Sequence, residues 1–314
     1  MKSTETNALS ETMMLQPGTL WEKIKSQTEY ARECGALQSI PTEYEFIEQN
    51  GIRFFVRIVT NLVRKDQAQQ QQKKAAESGQ DYDPFLPYEE DLFVADLSET
   101  HLCLLNKFNV VDHHLLIITR AFEEQEDLLT LEDFVALWRC LIEVNGFGFY
   151  NGGETAGASQ RHKHLQLVPL PLTPDGKPLP IADAIATADF HDNIGTIKSF
   201  PFQHGLIQLN WQEQTAVEIL AQHSLAAYHQ LLNAMNIKGS EGLSGQQTQA
   251  YNLLITREWM LIVPRSQEGY ENILVNSLGL AGAMLVRNRE QLEHLKRLSP
   301  LKVLTAVAIE RRRQ

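Results

Sequence analysis

Three side chains in one short run have the types and spacing for phosphoryl chemistry. His162, His164 and Gln166 alternate within Arg161-His-Lys-His-Leu-Gln-Leu167. In a β-strand every second residue faces the same way, so these three would line one face about 6 to 7 Å apart. Lys163, Leu165 and Leu167 would take the other face. A neutral imidazole is a competent attacking group for a phosphoryl centre at pH 7, and its covalent adduct splits one hard displacement into two easier ones. His164 is the candidate nucleophile. The adduct needs charge stabilisation. Upstream, backbone N–H groups around Gly152, Gly153 and Gly157 could cradle phosphate oxygens, because glycine permits both the turn and the close approach. Ser159 and Gln160 add side-chain donors, and Arg161 could add positive charge.

Gln166 separates two kinds of reaction. An amide can hydrogen-bond a non-bridging oxygen of the adduct but cannot take a proton from water at neutral pH. A third histidine there could act as general acid or base. The glutamine favours an adduct that waits for an acceptor other than water, which points to transfer rather than hydrolysis. An isolated His-x-His is by default a solvated strand face, and the in-phase glutamine and the glycine loop argue against that here. A cupin-like metal pair would want a Glu shortly downstream, and residues 167 to 171 read Leu-Val-Pro-Leu-Pro.

The elements that must position these residues follow from local patterning. Thr19 to Cys34 reads as an amphipathic helix and Glu45 to Ile58 contains an extended run. Gln67 to Gln80 is polar and of low complexity, with no apolar surface to bury. Asp83-Pro-Phe-Leu-Pro is a rigid turn, followed by short strands at Asp91 to Leu97 and His101 to Phe108. His113 to Thr119 is a β-branched strand. Of its two adjacent histidines only one can face the site, and His114 is favoured, with a satisfied strand-end histidine as the other reading. Thr130 with Asp133 three residues on resembles a capping box opening a helix to Val144. A strand at Gly148 to Tyr150 leads into the loop. After a polar excursion from Pro174 to about Phe200 come a strand at Gly205 to Asn210, a helix from Glu213 to Met235, a hairpin of Tyr251 to Thr256 and Trp259 to Pro264, and helices at Glu290 to Leu298 and Pro300 to Arg312. No internal repeat is visible. The order suits an α+β fold with helices packed on a largely antiparallel sheet.

With 314 residues the chain can bury a substantial core, and its net charge of −11 argues against a broad nucleic-acid-binding surface. Small anionic ligands remain compatible if basic groups are local. Cys34, Cys103 and Cys140 are widely spaced and read as free core thiols in a reducing compartment. No signal-peptide core is present, and the most apolar window, Ile273 to Val286, is too short and polar to span a bilayer. The expectation is a soluble cytoplasmic protein, monomer or homodimer, with no membrane partner.

Asn151-Gly-Gly and Ala158-Ser-Gln-Arg-His-Lys-His-Leu-Gln166 resemble the active-site segment of the diadenosine tetraphosphate phosphorylases, also called ATP adenylyltransferases, a transferase branch of the histidine-triad superfamily. Asp83-Pro-Phe-Leu-Pro-Tyr88, Asn106 to Thr119 and Tyr251 to Arg265 are similar to its other segments, in the same order, and the likeness runs from about Phe54 to Leu298. The resemblance implies a histidine-triad-like domain over residues 1–314, with an N-terminal extension (1–82), a catalytic core (83–174) and a C-terminal portion completing it (175–314). It implies phosphorolysis of diadenosine tetraphosphate by inorganic phosphate to ATP and ADP, through a nucleotidyl-histidine on His164. His162 would position or polarise the site and Gln166 would hold the adduct's phosphoryl oxygen. Asn151, Gly153, Ser159 and Gln160 would contact the polyphosphate, Asn106 and Asn109 would be near the nucleoside, and Gly152 and His114 are further candidate substrate-binding residues. Lys65 could reach a phosphate or be an ordinary surface lysine. Mg²⁺ would ride on the substrate's phosphates, with no dedicated protein site. Galactose-1-phosphate uridylyltransferases share His-x-His-x-Gln but usually carry Pro where Lys163 stands, which favours the adenylyl branch. The family often has Asn at the position of Asp83. Alternatives are a dinucleoside polyphosphate hydrolase, transfer to a sugar phosphate, or a non-catalytic nucleotide sensor.

Overall fold

The structure, a computed structural model, describes residues 15–59, 83 and 85–311. Lys65, the glutamine-rich stretch and Arg312-Arg313 lie outside the described residues. Helix α1 (Leu20–Glu33) opens the described chain. The extended run that follows is a hairpin, β1 (Thr42–Gln49) and β2 (Ile52–Val59). Its two-residue turn, Asn50-Gly51, takes positive φ at both positions, which Asn and Gly tolerate best. β15 (Ala283–Val286) adds in parallel to β2 to make a three-stranded sheet.

The larger sheet has ten strands. β3 (Phe93–Asp96), β4 (His101–Leu105) and β5 (Leu115–Thr119) form a meander, α2 (Leu131–Leu141) crosses over, and β6 (Gly146–Gly152) and β7 (His164–Pro169) complete five strands with β6 innermost. The polar excursion supplies α3 (Ala182–Ile185) and two short strands, β8 (Asp189–His191) and β9 (Ile194–Thr196). With β10 (Gly205–Gln208), α4 (Val217–Ala234), β11 (Tyr251–Ile255) and β12 (Trp259–Pro264) they repeat the order of the first half from the opposite edge, and β6 pairs with β11 at the centre. A repeat is therefore present in topology where the sequence shows none. Val168-Pro169 ends β7 as Val263-Pro264 ends β12, and this alignment sets Arg257, Trp259 and Leu261 at the places of His162, His164 and Gln166. Registers carry it outward: His164 opposes Ile118 and Trp259 opposes Gln208, so His204 corresponds to His114. The second half keeps the frame without the reactive set.

The remaining elements are the β13 (Gly269–Tyr270) and β14 (Ile273–Leu274) ribbon, α5 (Ser277–Leu280), α6 (Arg289–Leu298) and α7 (Pro300–Val307). The last helix stops at Val307, short of Arg312, because Ala308 leaves it to bridge Arg265. The apolar window from Ile273 is thus divided among β14, α5 and β15, and no helix among the described residues is long and apolar enough to cross a membrane.

Period-two alternation divides the ten-stranded sheet into two faces. Cys103, Leu115, Ile117, Leu165 and Leu167 pack on one face with Phe134, Leu137 and Trp138 of α2 and with Tyr228 and Leu231 of α4. On the other face Leu102, Leu104, Leu116, Ile118 and Phe85 form a small cluster, and Phe147, Phe149 and Leu254 belong to a larger one beneath β2, α6 and α7. His164 and Gln166 lie opposite Ile118 and Leu116, so they share the second face, at the seam of its two clusters. Cys103 and Cys140 are core residues, whereas Cys34, just beyond the end of α1, is exposed and corrects the reading of all three as buried.

Lys163 goes the other way. Its ammonium passes under the sheet to Asp133 at 2.8 Å, Glu123 at 3.0 Å and the Leu128 carbonyl at 3.2 Å, fully buried. Asp133 completes the capping box of α2 with Thr130 and also accepts from His101 at 3.0 Å. Burial pushes the Asp133 carboxyl up, but the His101 bond and the Lys163 charge outweigh it and hold its pKa at about 2. A buried pair broken on one side leaves an uncompensated charge, so Lys163→Met is expected to lose about 3 to 5 kcal/mol in urea unfolding. The Asp133 contribution is present above the ordinary carboxyl pKa and vanishes as pH falls toward about 2. Without Lys163 the acid-unfolding midpoint should move to higher pH, and an unchanged midpoint would contradict this reading.

Candidate active site

β7 begins at His164, and the ring is fixed by its own backbone. Nδ1 donates to the carbonyl of His162 at 2.8 Å, so the proton sits on Nδ1 and the lone pair on Nε2. Burial holds the His164 pKa down at about 4, even though the bond to the His162 carbonyl pulls the other way. At neutral pH the ring is uncharged. The Phe85 ring stands edge-on to it at 5.2 Å.

The main chain around His164 is held by Gln125, a residue with no periodic or motif signal in the sequence. Its Oε1 accepts from the His164 N–H at 2.8 Å, and its Nε2 donates to the carbonyls of Asn151 at 2.9 Å and His164 at 3.2 Å. A buried side-chain amide thus acts as a rung between β6 and β7 and supplies partners to the His164 N–H and carbonyl at a place where the two strands do not pair directly.

His162 lies just before the strand and is clamped at both nitrogens. Nδ1 faces Asp83 Oδ2 at 2.7 Å, and Nε2 lies 2.8 Å from the Thr119 carbonyl and 2.9 Å from the Thr119 hydroxyl. Its ring is therefore tied into the protein, and what it offers His164 is its carbonyl. Phe85 and Phe122 flank that ring at 5.7 and 5.4 Å.

Gln166 is half-buried, and its Oε1 lies 2.9 Å from Nε2 of His114, whose Nδ1 is 3.3 Å from the Asn106 amide nitrogen. His113 faces away, to Thr28 and the edge of Trp21. The side chain of Asn109, expected on substrate, is used within its own loop: its amide nitrogen donates to the Val111 carbonyl at 2.8 Å and its oxygen accepts from Ser39 at 2.7 Å.

The glycine loop differs from the cradle expected of it. A 3-10 turn at Glu154–Ala156 closes it on itself, with the Gly153 N–H given to the Asn151 carbonyl at 2.9 Å and the Gly157 N–H to Glu154 at 2.8 Å. Those two donors are consumed, so Gly153 and Gly157 serve shape: both take φ near +85° to +88°, and a Cβ would approach Glu126 and Val275 at 2.9 Å. The Gly152 carbonyl accepts from Gln247 at 2.6 Å. Ser159 is exposed and Gln160 half-buried on the approach to His162. Asn151 is buried, and its Oδ1 accepts from Asn252, the Ser277 N–H and the Ser277 hydroxyl at 2.8 to 3.0 Å. That orientation leaves its amide nitrogen as the donor side. Behind it Arg265, fully buried, donates to Asn252 at 2.6 Å and to the carbonyls of Ala156, Val307, Gln267 and Glu268. Burial lowers its pKa to about 10, and it bolts the loop to the C-terminal segment.

Residues 10–187 match the family model of the Ap4A phosphorylase N-terminal domain, and residues 198–310 match that of the ATP adenylyltransferase C-terminal domain. The chain belongs to the Ap4A phosphorylase family. The first match covers the first five-stranded half and the second covers β10, β11 and β12 of the other, with β8 and β9 in the residues between them. Diadenosine 5',5'''-P1,P4-tetraphosphate phosphorylase 2 of Saccharomyces cerevisiae is 30% identical over 303 residues, covering 88% of this chain and 90% of that protein. The crystal structure of yeast Ap4A phosphorylase Apa2 in complex with Ap4A superposes with a TM-score of 0.75 at 24% identity, covering 96% of this chain and 100% of that one. The same protein in complex with AMP gives a TM-score of 0.74 at 25% identity, with the same coverage. The α+β architecture is thus that of Ap4A phosphorylase.

The tautomer and pKa of His164 are open to direct measurement. In a ¹⁵N-detected histidine titration its ring should remain neutral and protonated at Nδ1 from pH 8 to about 5, with a midpoint near 4. A midpoint near the ordinary histidine value of about 6.5 would contradict the buried, neutral ring.

Proposed function

We propose that this protein is a nucleotidyltransferase that cleaves diadenosine 5',5'''-tetraphosphate (Ap4A) with inorganic phosphate, giving ATP and ADP. The single observation that carries the mechanism is the bond from His164 Nδ1 to the His162 carbonyl in a buried ring, which leaves Nε2 as the only nucleophilic position. Nε2 attacks the phosphorus next to one adenosine, the P–Nε2 bond forms, and the P–O bond to the remaining polyphosphate breaks to release ATP. The leaving oxygen belongs to a phosphate chain that departs as an anion, so no general acid is required. As the ring gains positive charge on attack, the Nδ1–H bond to the carbonyl strengthens and supports it. Phosphate then attacks the adenylyl-histidine, the P–Nε2 bond breaks, and ADP leaves with His164 restored.

Gln166 suits the waiting intermediate. Its amide can hold a phosphoryl oxygen and cannot activate water, so the adduct persists until phosphate arrives. The Asn151 amide nitrogen, Ser159 and Gln160 would contact the polyphosphate. Mg²⁺ would be held by the substrate's phosphates.

Incubation with Ap4A should yield ATP plus ADP only when phosphate is added. Phosphate-independent release of AMP, or of two ADP, would contradict the transferase reading and favour hydrolysis. Ap4A labelled at the adenosine-linked phosphorus should leave an acid-labile, base-stable label on the protein, absent in His164→Asn. Label that survives this substitution would remove His164 from the nucleophile role.

A further inference from the structure

We infer that His114 and Asn106 are positioning residues that fix which end of the Gln166 amide meets the reacting phosphoryl group. The inference rests on the adenylyl-transfer reading for its consequence in catalysis, but its geometry stands by itself. It begins at the turn between β4 and β5. There the Phe108 N–H donates to Asn106 Oδ1 at 3.3 Å, which settles the orientation of that amide. The Asn106 nitrogen must then be the atom 3.3 Å from His114 Nδ1, and because an amide nitrogen only donates, Nδ1 must accept. A neutral imidazole that accepts at Nδ1 carries its proton on Nε2. That Nε2–H points at Gln166 Oε1, 2.9 Å away. With its oxygen occupied, Gln166 presents its NH₂ end to the site.

Each step follows from the donor and acceptor inventory, and the direction of the chain matters. Turned over, Gln166 would offer a carbonyl oxygen to a phosphoryl oxygen, placing two acceptors face to face. His114 is buried, and Gln166 lies between Leu116 of β5 and Phe149 of β6 in the sheet register. The amide therefore has one wall of hydrocarbon, one fixed donor and one open side. A backbone amide thus sets the polarity of a catalytic side chain through two intermediates, at no cost in added charge. The corresponding histidine of the second half, His204, takes the opposite arrangement. Its Nδ1 lies 2.8 Å from the Phe202 carbonyl and its Nε2 accepts from the Ile197 N–H at 2.7 Å, opposite a half that has Leu261 instead of a glutamine. The Nε2–H form at His114 is thus a product of Asn106 and not a default of this fold position.

The test combines a spectrum with a mutant cycle, both on the full chain. In ¹⁵N-histidine-labelled wild-type protein at pH 8, two-bond correlations should show the His114 ring neutral with Nε2 protonated, the resonance being assigned by its loss in His114→Gln. A ring protonated at Nδ1 overturns the inference whatever the activity. In Ap4A phosphorolysis, His114→Phe should lower kcat by about 10- to 100-fold with KM changed by less than about threefold, as loss of an oriented donor does. His114→Gln, which can still donate to Oε1, should recover part of that loss. Combined with Gln166→Ala, His114→Phe should cost nothing more than Gln166→Ala alone. Full additivity would show that His114 acts independently of Gln166 and overturn the inference. A wild-type protein without phosphate-dependent activity would defeat the proposed function instead, leaving the spectrum to decide the orientation. If His114→Phe does not fold, the wild-type spectrum and the His114→Gln cycle decide it.

Discussion

The hydrogen bond from His164 Nδ1 to the carbonyl two residues earlier is the interaction on which the site depends. It selects the tautomer and leaves the lone pair on Nε2, and in the proposed reaction it supplies the acceptor for positive charge on the ring. A bond to one's own backbone works only if that backbone cannot move. Much of the surrounding structure serves this end: Asp83 and Thr119 hold the His162 ring, Gln125 pins the His164 amide and carbonyl, and Lys163 draws the intervening residue under the sheet. Three successive residues are thus tied in three directions.

The two faces of the sheet divide the labour. One face is a hydrocarbon layer against α2 and α4, and the charges of Lys163 and Asp133 within it neutralise each other, with His101 bonded to the same carboxylate. On the other face the reactive groups lie between two apolar clusters, so the imidazole is desolvated while Gln166 reaches the surface. Desolvation keeps His164 neutral far below physiological pH, which a solvated strand histidine would not be. The repeated second half supplies β11 and α5, through which Asn252 and Ser277 orient Asn151. A half that carries no reactive set of its own completes the other one.

The parts of this arrangement legible in the sequence are those written in local periodicity. The alternation of His162, His164 and Gln166, the opposite facing of Lys163 and the capping box at Thr130 each follow from spacing of two or three residues. Partners distant along the chain left no such mark. Gln125, the pairing of Asp83 with His162 and the Arg265 network join segments up to 109 residues apart, and nothing in the composition of either segment signals the other. The glycine loop is opaque for a related reason: glycine content announces a tight turn but does not say where its N–H groups point, and those of Gly153 and Gly157 are bonded within the loop. The twofold topology leaves little mark in the sequence because strand order is kept by pattern and volume, with few identities between the halves beyond Val-Pro and a His-x-Leu-Ile run shared by residues 114–117 and 204–207.

The central claim is that an imidazole nitrogen, and not phosphate itself, makes the first attack. Stereochemistry at phosphorus separates the two. With Ap4A bearing one chiral α-thiophosphate, two successive in-line displacements through His164 should give thio-ADP with the configuration retained. Inversion would mean a single direct displacement by phosphate, and His164 would not be the nucleophile.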